Sequence, residues 1–201
     1  DGYCLMATKG GYVIKNPMGD FSSAHISGIH SMNAESGDSI SSVGMSHGQG
    51  ELVMATRGGQ VIRFPEEEVR TTQRPAKGVR GMGLSPGDQV IGLESVSPKN
   101  LERDPLLLFV TEEGKGKKVP LAEFNVQQRA GKGNLGIKLG EDDGLKEVKL
   151  LERGEEIFLS SERGKAIRLS IDDISEFQRY AQGVKLMELG EFDRISTATV
   201  I

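Results

Sequence analysis

Residues 126–139, VQQRAGKGNLGIKL, set Gln127, Gln128, Arg129 and Lys132 among Gly131, Gly133 and Gly136. That mixture suits a phosphate. Amides donate hydrogen bonds, a guanidinium offers two parallel donors, an ammonium supplies a mobile charge, and glycine lets the backbone come close. The alternative is a plain turn in which Gln and Arg cap strand ends. Two related stretches, QRPAKG at 73–78 and QRYAQG at 178–183, repeat the order of groups, and three loops in matching register favour the phosphate reading. The basic residues in or beside them widen the candidate set to Arg70, Arg74, Lys77, Arg80, Lys115, Lys117, Lys118 and Arg179. No catalytic constellation accompanies them. His25, His30 and His47 have a spacing that matches no common zinc site. GGYVIK and GKGKK run into strands rather than the helix a P-loop needs.

The net charge of -4 over 201 residues argues against a polyanionic partner only if charge is spread evenly. It is not. Val69 to Pro86 holds four basic residues and no acid, and Gly114 to Leu139 holds six against Glu123 alone. The acids gather in PEEE, GEDDG and GEE, so a basic stripe and an acidic total can occupy different edges. The longest apolar run, PLLLFV at 105–110, is too short to span a bilayer, and the first residues lack the charged-then-apolar order of a signal peptide. A single cysteine, Cys4, forms no internal disulfide, and a reducing cytoplasmic compartment is expected.

These loops must be held by strands. Hydrophobic residues make up 36% and glycine 27 of 201, the profile of many short strands joined by tight turns. Four segments align: LMATKGGYVIK from Leu5, LVMATRGGQVIRF from Leu52, LLFVTEEGKGKKV from Leu107 and IFLSSERGKAIRL from Ile157. Their turn glycines are read as Gly10, Gly58, Gly114 and Gly164. A second anchor follows, at Gly28, Gly78, Gly133 and Gly183, and then a second turn: ESGD, SPGD, EDDG or GEFD. Each unit reads strand, tight turn, strand, long loop, strand, turn, strand, the size of a propeller blade. Repeats are expected at 1–48, 49–104, 105–154 and 155–201 of a single all-β domain. PEEEVR at 65–70 and IDDISEF at 171–177 each have room for one helical turn.

The whole chain resembles the C-terminal DNA-wrapping domain of the A subunit of bacterial DNA gyrase and its homologue in topoisomerase IV. GQVIRFPEEEVRTTQRPAKGVRGMGL and GKAIRLSIDDISEFQRYAQGVKLMEL look like blades of such a domain. The family's signature box is Gln-(Arg/Lys)-Arg-Gly-Gly-(Arg/Lys)-Gly. QQRAGKG at 127–133 matches it at Gln127, Arg129, Gly131, Lys132 and Gly133, and departs at Gln128 and Ala130. It is read as a degenerate copy in a late blade, with the full box expected outside this chain.

The resemblance implies a β-pinwheel, a propeller-like disc of four-stranded antiparallel blades that share strands with their neighbours. Four blades make it a partial, open disc. It implies wrapping of double-stranded DNA along a basic outer rim, with the candidates above as contacts. The expected protein partners are the other domains of the gyrase A chain and the ATPase B chain. No cofactor is expected in this chain, since ATP and Mg belong to other domains, as does the DNA-cleaving tyrosine. Tyr3, Tyr12 and Tyr180 do not match it. A rival class is a propeller that serves as a protein-binding platform, or a chromatin-binding propeller with repeats of similar length. The recurring Gln-Arg element favours the topoisomerase reading.

Overall fold

Each repeat opens with a hairpin, because two apolar runs flank a tight turn that ends on glycine. The computed structural model describes residues 2–23, 26–151 and 155–201. In it β1 (Tyr3–Thr8) pairs with β2 (Tyr12–Pro17) and β4 (Glu51–Thr56) with β5 (Gln60–Pro65). Likewise β8 (Leu106–Thr111) pairs with β9 (Lys115–Pro120), and β12 (Glu156–Ser161) with β13 (Ala166–Ser170). All four pairs are antiparallel. The turn glycine with positive φ is Gly11, Gly59, Gly114 or Gly164. In the first two hairpins the anchor is therefore the second glycine, one place later than alignment of the repeats puts it. The first glycine there makes room for an acid: a Cβ on Gly10 would lie 2.5 Å from Asp38, and one on Gly58 2.8 Å from Asp88.

That acid is the constant residue of the second turn. Asp38, Asp88, Asp143 and Asp193 each accept a backbone N–H from the hairpin turn and a second from the next residue, at 2.8–3.1 Å. Burial opposes the charge on Asp38. Hydrogen bonds from Thr8, Gly10 and Ser39 overcome that and hold its pKa below the usual carboxylate range. Each staple fixes the start of the strand that follows: β3 (Ile40–Ser46), β7 (Val90–Val96), β11 (Leu145–Leu151) or β15 (Ile195–Val200). These pair antiparallel with β1, β4, β8 and β12.

The remaining strands are short: β6 (Val79–Arg80), β10 (Asn134–Leu135) and β14 (Val184–Lys185). Each leaves its own repeat and pairs with the second strand of the preceding one, β6 on β2, β10 on β5 and β14 on β9. The sheets therefore run β3-β1-β2-β6, β7-β4-β5-β10, β11-β8-β9-β14 and, among the described residues, a three-stranded β15-β12-β13. The third strand of each repeat unit thus completes the neighbouring blade and not its own. Glycine permits the exchange. A Cβ on Gly78, Gly133 or Gly183 would come within 2.6 Å of the carbonyl oxygen of Val13, Val61 or Gly116 of the preceding blade.

At the other end of the sheets, β3 packs on β7, β7 on β11 and β11 on β15, so these strands line the hub and the two-residue strands form the rim. Between blades lie apolar layers. Leu5 and Ala7 meet Leu52 and Met54; Val53 and Ala55 meet Leu107 and Phe109; Leu108 and Val110 meet Ile157 and Leu159. A cation on the second strand of each of the first three blades also bonds the 3₁₀ turn of the next. Lys15 Nζ donates to Glu66 O at 3.4 Å, Arg63 Nη1 to Leu121 O and Phe124 O at 3.2 and 3.0 Å, and Lys118 Nζ to Ile171 O at 2.7 Å. The turns at Glu66–Glu68 and Ile171–Asp173 lie within the two segments read as helical turns, and Met18–Phe21 and Leu121–Glu123 are their counterparts. At the ends the layering stops. Phe158 is 42% exposed where Leu5, Val53 and Leu108 are at most 1%, and Val43 is 61% exposed where Leu93, Val148 and Ala198 are at most 4%. The four blades form an arc with uncovered first and last faces.

Gly87→Ala and Gly133→Ala separate strain from overlap. Gly87 has φ +80 and open space around it, whereas Gly133 has φ +73 and a carbonyl in the way. The first should cost about 1 kcal/mol of unfolding free energy and the second at least about 3 kcal/mol. Denaturant melts of both variants check this, and equal costs would show that the loop can retreat from Val61.

Candidate nucleic-acid interface

The Gln-Arg loops lead directly into the rim strands, which places them on the outer edge of successive blades. Backbone bonds across the blade boundary fix them: Gln127 N to Arg63 O at 2.8 Å, Ala130 N to Gly81 O at 2.7 Å and Gly83 N to Gly131 O at 2.9 Å. A carboxylate from the preceding repeat caps each of two loops. Glu68 Oε2 accepts Arg129 N, and Glu123 Oε2 accepts Arg179 N, both at 2.9 Å. The close glycine of each loop faces protein backbone, so its permissiveness serves blade contact. This corrects the expectation that those glycines admit a ligand.

The basic candidates divide sharply. Arg70, Gln128 and Lys132 are exposed, and among the described residues none has a side-chain hydrogen bond or ion pair. Lys77 is exposed and pairs with Glu35 at 2.6 Å. The hydrogen bond and charge of each partner lower the carboxyl pKa and raise that of the ammonium. Arg80 lies 4.6 Å from the centre of the Tyr12 ring and donates to its hydroxyl at 2.9 Å. Arg179 is half-buried but does the same at the surface with Tyr180, at 4.4 Å from the ring centre and 2.5 Å from the hydroxyl. Such stacking leaves other guanidinium N–H groups open to an anion.

Other candidates are turned inward. Arg129 is half-buried, and its guanidinium donates to Glu68 O at 3.1 Å and Arg80 O at 3.0 Å. Gln127 is half-buried, Arg74 rests 5.7 Å from the Phe21 ring, and Lys115 is half-buried beside Glu113 at 3.1 Å. Lys117 and Lys118 leave the set altogether, at 0% and 8% exposure. Lys117 Nζ donates to Gln178 O, Arg179 O and Ala181 O at 2.8, 2.9 and 2.8 Å. Burial pushes its pKa down to about 8, with the Glu123 carboxylate opposing. The physical reason is that β9 is sandwiched between blades and buries both faces.

Two exposed cations on or beside the rim strands stand outside the set drawn from sequence. Lys185 on β14 stands where Arg80 stands on β6, with Glu188 at 3.5 Å. Aligning KGVR with QGVK reveals it. Lys138 follows β10 and is exposed, its backbone N–H bonded to Ala181 O at 3.2 Å. Among the described residues no group of three or more His, Cys, Asp or Glu side chains is placed to hold a metal, and His25 lies outside them.

Comparison with known proteins places this geometry. A family described as DNA gyrase C-terminal domain, beta-propeller, matches residues 2–46, 50–97, 105–150 and 155–201. The DNA gyrase A protein of Haloquadratum walsbyi is 33% identical over 196 residues, 97% of this chain and 22% of that protein. The chain therefore spans about a fifth of the length of such relatives. The crystal structure of the C-terminal domain of DNA topoisomerase IV superposes with a TM-score of 0.90 at 25% identity, covering all of this chain and 62% of the other. The structure of a DNA gyrase A C-terminal domain gives 0.89 at 25% identity, covering all of this chain and 66% of the other.

Arg129 and Lys132 stand three residues apart with opposite roles. Arg129→Ala removes charged hydrogen bonds from a half-buried site and should lower unfolding free energy by about 1–3 kcal/mol. Lys132→Ala should stay within about 0.5 kcal/mol of the parent. Chemical denaturation of the two variants decides, and equal stability would mean that the inward bonds of Arg129 hold nothing.

Proposed function

The chain belongs to the DNA gyrase C-terminal domain family, and from that premise we propose that it binds double-stranded DNA along its rim and bends it around the blades. The observation that carries this reading is the recurrence of outward cations at equivalent rim positions. Lys77 and Arg80 flank and occupy the first short strand, Lys132 precedes the second, and Arg179 and Lys185 flank and occupy the third. A duplex following the rim meets them in turn. They are long side chains that reach solvent, so they address phosphates more than base edges, and sequence preference is weak.

Bending 20–30 base pairs by 40–90° costs on the order of 1–6 kcal/mol, which successive phosphate contacts offset. As part of a gyrase-type enzyme, the wrap presents a second duplex segment to the cleavage gate and biases strand passage in ATP-dependent supercoiling. The cleavage tyrosine, ATP and Mg lie elsewhere, in the other domains of the A chain and in the B chain. Such an enzyme works on chromosomal DNA in the cytoplasm. The gyrase reading is preferred to topoisomerase IV because the box-like loop at 127–133 survives.

Six rim groups, Arg70, Lys77, Arg80, Lys132, Arg179 and Lys185, set the expected salt response. With about six phosphates neutralised, log affinity against log salt should fall with a slope near -5, alike for unrelated duplex sequences. Fluorescence anisotropy with duplexes of two compositions measures it. A flat salt response, or no binding at about 50 mM salt, would reject the rim as a DNA path and favour a protein-binding platform.

A further inference from the structure

Loops of one design rest on different supports. Beneath the loop at 127–133 lies Ile62, whose Cδ1 would be 3.5 Å from a Cβ on Gly131. There the loop supplies its own clamp: Arg129 turns inward and spends its guanidinium on Glu68 O and Arg80 O. Beneath the loop at 178–183 the residue equivalent to Ile62 is Lys117. Its ammonium is enclosed by three loop carbonyls and lies 5.8 Å from the Phe109 ring centre. Glu123 holds the same loop by the N–H of Arg179. The backbone from 178 to 181 is thus gripped by a cation on its carbonyls and an anion on an amide, both from the preceding repeat. The Arg179 guanidinium, relieved of the inward task, lies against Tyr180.

We propose that Lys117 is a positioning residue for DNA contact: by clamping the 178–181 backbone from below, it frees Arg179 to meet a phosphate, a role its counterpart Arg129 has given up. This rests on the DNA-binding reading above. It inverts the ranking that the sequence suggests, since the box-like loop at 127–133 keeps its arginine for structure and the less box-like loop at 178–183 presents one. Lys117 itself touches no DNA. The charged group that faces it is the Glu123 carboxylate, which stabilises its proton; Phe109 offers a ring and no charge.

The test compares Arg179→Ala, Lys117→Ile and the double variant in duplex binding across a salt series, with Lys132→Ala as reference. Ile stands at the equivalent positions 14, 62 and 167, so Lys117→Ile is compatible with the blade, and thermal melts confirm folding. Arg179→Ala should lower the salt slope by about 0.9. Lys117→Ile should lower it equally, and the double variant no further. Lys117→Arg, which keeps a buried cation, should restore part of the loss. The unmodified protein supplies a test that needs no Lys117 variant: its affinity should weaken as pH rises through about 8, and Arg179→Ala should abolish that dependence. If Arg179→Ala lowers the slope while Lys117→Ile and pH leave it unchanged, the positioning role is wrong and the DNA reading stands. If Lys132→Ala alone lowers it, Arg179 is no contact and the inference falls. If none of the variants alters a salt response that is itself flat, the DNA reading fails instead.

Discussion

Three contacts set the distance between repeats: Gly78, Gly133 and Gly183 each pass within reach of a main-chain carbonyl of the preceding blade. Because no side chain fits there, the incoming loop lies flat on a neighbouring strand and its next two residues pair with that strand's open edge. Everything outward of this contact, rim strand and Gln-Arg loop alike, is placed by a repeat other than the one it decorates. The apolar layers then close because the second strand of each of the first three blades is covered on both faces. Each repeat is completed by its neighbour, so stability is shared along the arc as in other repeat proteins.

The same geometry explains why the chain uses its cations in two ways. A strand covered on both faces cannot send a lysine to water, and an ammonium taken out of water must find several acceptors to offset its lost hydration. The turns and loops of the next repeat supply carbonyls at the required place, and Lys15, Arg63, Lys117 and Lys118 all end on them. These bonds join one repeat to the next at the cost of charge that an external anion would otherwise feel. Cations on the rim face no such burial.

Much of the fold was legible because the repeat is written twice over, in hairpin turns and in glycine anchors, and both survive as periodic signals. Register within the signal was less secure: GlyGly pairs at 10–11 and 58–59 hide which glycine turns the chain, since that depends on where Asp38 and Asp88 arrive from elsewhere. The strand exchange is invisible locally for the same reason, as the obstruction at Gly133 comes from Val61, in another repeat. Which of the candidate cations reach solvent was half legible. Lys77, Arg80 and Lys132 behave as their place in a loop suggests. GKGKK does not, because alternation predicts one buried and one exposed residue per pair, and a strand between two blades buries both. Arg129 and Arg179 both follow a glutamine, and they differ in the residue beneath the loop, Ile62 or Lys117, and in the next residue of the loop, Ala130 or Tyr180.

An acidic chain with part of its basic residues buried can still leave cations open to an external anion, because the acids nearest the rim hold them weakly. Glu35 holds Lys77 at 2.6 Å and Glu188 holds Lys185 at 3.5 Å, but both pairs are half or more exposed. Exposed pairs of this kind contribute about 0–1 kcal/mol. A duplex offers each lysine a phosphate whose capture also releases condensed counterions, a gain that accumulates along the path. Exchange of one carboxylate for one phosphate therefore costs little at each site, while the summed contacts are set against a single bending energy. On the proposed DNA-binding reading, that asymmetry is what would let a net-negative domain hold a bent duplex, with the grip tied to the rim as a whole more than to any one loop.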